Sequence, residues 1–232
     1  MELEHSNQSH WIPLADLMTG LMMVFMLLTA AFMLRVEQTT TLVVKEYEET
    51  KSDMLQALQK EFSKDLKQWN AELLGDMTIR FNDPTVLFAT GSAEIKPKFK
   101  EILKEFFPRY IALLTSDKYR DAVKEIRIEG HTSVAWTGQN DPRAAYFLNM
   151  GLSQARTRSA LEYLLSVPAV SSHQAWLIQH VTANGLSSSK PLKPDDKSAS
   201  AQQANQRVEF RIVTNAGDKL DQISQQLKEE AQ

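Results

Sequence analysis

The run Trp11–Leu34, WIPLADLMTGLMMVFMLLTAAFML, constrains this chain more than any other stretch. Its only ionisable side chain is Asp16. As a helix, at about 1.5 Å per residue, the run is ~36 Å long, enough to cross a bilayer core of about 30 Å with some tilt. A core helix of a soluble protein seldom runs so far without a polar face. A cleaved leader fits poorly, because the first ten residues carry no Lys or Arg. The expectation is therefore a retained transmembrane helix at 11–34. An Asp at mid-bilayer costs about 2.5–3.5 kcal/mol, while each Leu, Ile, Val or Phe returns about 0.3–0.6, so the run still inserts. A carboxylate that insertion tolerates without needing is a functional candidate, turned toward protein or water. Thr19, Gly20, Met23, Leu27 and Ala30 share its helical face, and several are small enough for close packing with partner helices. The flanks, with Glu2, Glu4 and His5 before the run and Arg35 and Lys45 after it, lean slightly against an N-terminus on the positive-inside side.

The chain has 232 residues and a mean hydropathy of −0.33, an average that conceals this anchor behind a charged remainder. Zero Cys excludes a disulfide scaffold, a Cys-based zinc site and a thiol nucleophile. A net charge of −3 provides no general attraction to nucleic acid, and no direct nucleic-acid role is expected. No phosphate loop, catalytic triad or metal-ligand spacing is legible, so neither an enzyme nor a cofactor or metal is expected.

Residues 1–10 read as a short tail and 35–75 as a charged helical connector. The connector carries an apolar stripe at Met54, Leu55, Leu58, Phe62, Leu66, Trp69 and Leu73, ending near Gly75. The stripe needs a partner, either the same helix of a second copy or the domain downstream. The Thr-rich, β-branched stretch Glu37–Val44 is expected to be less regular. From Met77 the pattern alternates. Met77–Phe81, Val86–Ala89, Ile126–Ile128, Ile178–Thr182 and Val208–Val213 predict strands. Pro97–Leu114 and Leu152–Leu165 predict helices, with a long loop at 134–147. The result is an α+β domain at 76–215, followed by a polar tail at 216–232.

Four groups in this half, taken together and in order, resemble the OmpA-like peptidoglycan-binding domain: Leu87–Ile95 (LFATGSAEI), Ile128–Thr132 (IEGHT), Asn149–Arg156 (NMGLSQAR) and Asn205–Phe210 (NQRVEF). The resemblance implies a β-α-β-α-β-β fold. It also implies a site in which a helix N-terminus and adjacent loop grip the diaminopimelate of a peptide stem. The carried-over positions are Thr132, Ser133, Leu148, Asn149, Leu152, Arg156 and Arg207. An Arg suits a carboxylate through two parallel hydrogen bonds. Ser133 departs from the family pattern, which has an Asp there to meet the ligand ammonium. His131, in the Gly-His-Thr turn, is expected to be structural and hydrogen-bonded.

The anchor adds a second resemblance. Trp11–Thr19 (WIPLADLMT) is similar to the aromatic-x-x-x-Ala-Asp-x-Met-Thr signature of the B subunits of ion-driven stators, which join one span to an OmpA-like domain. That resemblance implies a homodimer in the inner membrane, threaded through a pentamer of A-type subunits, with a cytoplasmic N-terminus and a periplasmic domain bound to peptidoglycan. Asp16 would carry the ion, a proton by the family's habit. The short acidic start, Met-rich span and long connector favour the Zorya anti-phage (ZorB) type over the flagellar (MotB) type. A plain wall tether is the alternative from another class.

Overall fold

The computed structural model describes residues 11–194, 198–216, 218 and 225; the expected tail at 1–10 and nearly all of 216–232 lie outside them. The described residues fall into two units, the helical segment up to Tyr47 and the domain Glu48–Asn215.

Helix α1 runs Trp11–Phe62. In its first unit the apolar side chains are exposed among the described residues; Leu17, Met23 and Leu27 are each about 70% exposed. The helix is long and apolar enough here to cross a membrane. The Thr-rich stretch expected to be irregular is helical. Thr39, Thr40 and Thr41 each donate their hydroxyl to the carbonyl one turn back, on Arg35, Val36 and Glu37, at 2.7–2.9 Å, which satisfies these hydroxyls within the helix.

In the second unit a five-stranded sheet has the order β1-β2-β5-β3-β4. The strands are β1 (Ala71–Leu73), β2 (Thr78–Phe81), β3 (Val123–His131), β4 (Val181–Gly185) and β5 (Arg207–Thr214). Only β3 and β4 pair in parallel; the other pairs are antiparallel. The helices are α2 (Pro84–Leu87), α3 (Pro97–Leu114), α4 (Pro142–Ser166), α5 (Gln174–His180) and α6 (Ala199–Asn205). The main series β2-α3-β3-α4-β4-β5 is the expected α+β order, with β1 added at the edge.

Alternation along the strands separates two faces. Ile79, Phe81, Ile126, Ile128, Phe210 and Ile212 point into the core. They meet Phe99, Phe106 and Tyr110 of α3 in a network of tilted and edge-on rings; Phe106 lies 5.1 Å from Phe210 and 5.4 Å from Phe81. The connector stripe joins this core. Met54, Leu58 and Phe62 are fully buried, and Phe62 sits 5.3 Å from Phe106. Arg109 of α3 binds Glu61 at 2.7 Å and Asp65 at 2.8 Å. The stripe's partner is therefore its own domain. The helix ends at Phe62, not near Gly75, and Leu73 lies on β1.

Three further expectations are corrected. Val86–Ala89 is not a strand: the Asp83 carboxylate caps the turn α2 by accepting from Thr85 N, and Pro84 starts it. That leaves Phe88 only an isolated bridge to Ile95. β4 begins at Val181, because Trp176 and Leu177 are buried from helix α5. Helix α4 starts at Pro142, capped by Asp141, so the loop before it ends at Asp141 and not at Phe147.

Candidate ligand-binding site

Helix α4 lies unusually close to the sheet. Gly130 of β3 and Gly185 of β4 are register partners. A Cβ on Gly185 would stand 2.3 Å from Gln154 N, and one on Gly130 would stand 2.7 Å from Thr157 Cγ2 and 3.0 Å from Ser153 O. Ser153 secures the contact by accepting from Ser187 N at 3.0 Å. This approach sets the height of Asn149, Leu152 and Arg156 over the strand ends.

There a cavity of about 340 Å³ opens, lined by Thr90, Gly91, Thr132, Ser133, Ala135, Trp136, Thr137, Asn149, Leu152, Arg156, Gln202 and Gln206. Gly91, at φ +68°, turns the loop that forms one wall. The buried Asn149 amide donates to Ala135 O at 3.2 Å and pins the loop that carries Trp136. Thr132 N donates to Ser187 O at 2.9 Å, while Thr132 Oγ1 is buried without a hydrogen-bond partner.

Arg156 is the only charged lining residue among the described residues, and it is 7% exposed. Its Nε donates to Ser92 O at 2.9 Å and Nη2 to Ala89 O at 3.1 Å, with the guanidinium over the Phe88 ring at 5.1 Å. No carboxylate pairs with it among the described residues. Burial pushes its pKa down to about 10. Backbone carbonyls fix the guanidinium's place but do not neutralise it, so an anion entering the cavity would find a desolvated, oriented cation.

Of the expected positions, Thr132, Ser133, Asn149, Leu152 and Arg156 come together here. Leu148 and Arg207 do not. Leu148 is 42% exposed, about 100° around the helix from Asn149. Arg207 lines a narrower cleft beside the cavity and is drawn onto Glu209 at 2.7 Å. The expected helix N-terminus is also displaced: Asn149 is seven residues into α4, about 10 Å along the axis, and a helix-end dipole fades within the first turn. Thr90, Gly91, Trp136, Gln202 and Gln206 were not anticipated. Thr90, Gly91 and Gln206 lie inside or beside the quoted motifs, whereas Trp136 and Gln202 have no pattern to betray them.

The opposite face of the sheet carries a separate charge network. Glu209 lies 2.7 Å from both Arg80 Nε and Arg207 Nε. Burial alone would raise its pKa; the adjacent His131 and the Arg207 and Arg80 guanidinium groups outweigh this and hold it well below the usual carboxylate range. His131 Nε2 lies 3.6 Å from Glu209 and 4.0 Å from Glu129. Among the described residues neither ring nitrogen makes a hydrogen bond, so the hydrogen-bonded role expected of His131 is not seen and the ring is packed beside the two carboxylates. Glu129, His131 and Glu209 could offer three ligand atoms to a metal within 4.8 Å of one another. Three guanidinium groups already face these carboxylates, with Arg211 3.4 Å from Glu129. A dication would add uncompensated positive charge to a buried cluster.

The other candidate is Asp16, exposed on α1 among apolar side chains. Thr19 beside it donates to Ala15 O. No cation pairs with Asp16 among the described residues.

Residues 87–207 match the OmpA family. The Zorya protein ZorB of Escherichia coli (strain Crooks) is 43% identical over 224 residues, covering 95% of this chain and 94% of that protein. Among solved structures, a MotB-like protein from Desulfovibrio vulgaris superimposes with a TM-score of 0.50 at 22% identity, over 75% of this chain and 98% of that one. The cell wall anchor of the T6SS from Pseudomonas aeruginosa gives 0.48 at 21%, over 68% and 96%. The likeness to the Desulfovibrio vulgaris structure, at 22% identity, shows the fold alone.

Proposed function

The chain belongs to the OmpA family across residues 87–207 and to the ZorB family along nearly its whole length, and on that footing we propose that it is the B-type subunit of a proton-driven, stator-like membrane complex in anti-phage defence. The apolar run crosses the inner membrane once, with the N-terminus in the cytoplasm and the domain in the periplasm. Two copies thread a pentamer of A-type subunits. The domain grips peptidoglycan through the cavity around Arg156, and the A ring turns about the held B subunits as Asp16 takes up and releases protons. Protonation would remove a charge from the packing between B spans and ring, and so shift the balance between two arrangements.

One observation carries the reading. Among the described residues Asp16 is a carboxylate without a cation on an apolar helix, and Arg156 is a buried guanidinium without a carboxylate in a cavity. The proposed complex would supply a counterpart for each, a proton path for one and a wall carboxylate for the other. Catalysis is not part of the role.

The test is Asp16→Asn in cells carrying the complete defence locus. The variant should reach the membrane and co-purify with the A-type subunit, yet lose phage protection in plaque assays. Full protection with Asn at position 16 would leave the chain a plain tether and remove the ion-carrying role.

A further inference from the structure

On the reading that the cavity takes a peptidoglycan stem, its charge balance narrows which form of the stem it accepts. The distal centre of diaminopimelate bears a carboxylate and an amine on one carbon. In an uncross-linked stem that amine is a free ammonium. In the stem that accepts a cross-link it is acylated, becoming a neutral amide N–H with a further peptide attached.

Among the described residues the cavity offers one cation and no anion: Arg156 shares the lining with Thr132, Ser133, Gln202 and Gln206. The nearby acids Glu129 and Glu209 are buried and committed to Arg80, Arg207 and Arg211 on the other sheet face. A free ammonium held here would be desolvated beside a like charge without compensation. An amide N–H needs only a neutral acceptor. Ser133, in the cavity wall and only partly buried, donates its hydroxyl to Ala135 O at 3.3 Å and keeps oxygen lone pairs as such an acceptor. Trp136 and Leu152, both only partly buried, add apolar surface for the extra acyl chain.

We propose that this cavity selects stems whose diaminopimelate amine is acylated by a cross-link over stems with a free ammonium. The protein would then fasten to mature wall and pass over newly inserted strands.

The test titrates the full-length chain, in detergent micelles, with three soluble muropeptides: a tetrapeptide monomer, the same monomer acetylated on the diaminopimelate amine, and a cross-linked dimer. The acetylated monomer and the dimer should bind at least about tenfold more tightly than the free-amine monomer, the scale of a charged group left unpaired. Ser133→Asp should narrow or reverse that order by giving the ammonium an anion. Equal or tighter binding of the free-amine monomer by the natural chain overturns the selectivity. Arg156→Met separates this from the underlying reading. If binding is lost in that folded variant while the wild type fails to discriminate, only the selectivity falls. If all three ligands bind Arg156→Met as they bind the wild type, the cavity is not the wall site and both fall.

Discussion

The most demanding prediction concerns Gly185→Ala. A Cβ there would stand 2.3 Å from Gln154 N and 2.7 Å from Gln154 Cα. These are backbone atoms inside a 25-residue helix, so no rotamer change relieves the contact. Ordinary separation requires α4 to retreat by roughly 1 Å. Overpacking costs about 1–3 kcal/mol when side chains can adjust, and a backbone clash belongs at the upper end, about 3 kcal/mol. For a domain of this size each kcal/mol is worth about 2–4 °C, giving a melting temperature lower by roughly 6–12 °C. The assay is thermal denaturation of the full chain in micelles by circular dichroism. Gly151→Ala, on an exposed position of the same helix with nothing within 4 Å of its Cβ, is the control and should gain about 0.5–1 kcal/mol. Because Asn149, Leu152 and Arg156 ride on α4, muropeptide binding by Gly185→Ala should fall even at temperatures where the variant is folded. If Gly185→Ala melts with the wild type and binds as well, the close approach of α4 does not set the site.

Phe62→Ala should destabilise the domain by about 3–5 kcal/mol through loss of a fully buried ring. Its melting temperature should not depend on protein concentration, whereas a stripe buried between copies would make it do so. Glu209→Gln should lower stability at neutral pH. The carboxylate's pKa is depressed in the fold, so its contribution is complete above the unfolded value and lost as pH falls toward the folded one. The wild-type advantage measured by urea unfolding should be constant above about pH 5 and shrink below about pH 4. Arg156→Lys keeps a charge but not the fork that holds Ala89 O and Ser92 O. Muropeptide affinity should drop about tenfold or more, with the melting temperature within a few degrees of wild type.

Legibility in the sequence followed apolar periodicity. Helix α3 was predicted at its observed ends because Phe99, Ile102, Leu103, Phe106, Phe107, Tyr110 and Leu114 form a clean stripe. The first ten residues of α4 were missed because its buried face is built from Ala145, Asn149, Ser153, Arg156 and Thr157, small or polar residues with no apolar rhythm; the Asp141-Pro142 cap was the available signal. Val86–Ala89 looks like a strand in composition, but the Asp83-Pro84 pair starts a helical turn first. The site divided in the same way. Residues spaced along one helix face could be grouped by motif. Trp136 and Gln202 enter the cavity from separate loop and helix segments whose meeting is a tertiary event. Arg207 stood in a family motif, yet the pull of Glu209 takes it out of the cavity.

The seating of the end of α1 in the domain core has a mechanical consequence. A flexible linker is an entropic spring, which lengthens before it transmits force. Here a pull arriving along the chain at Glu48 meets Met54, Leu58 and Phe62 buried in the core, Phe62 against Phe106 of α3, and Arg109 clamped to Glu61 and Asp65. To yield, these side chains must slide together out of close-packed surroundings, a shearing failure that engages many contacts at once. Within the domain, movement at residue 48 thus reaches the sheet with little slack.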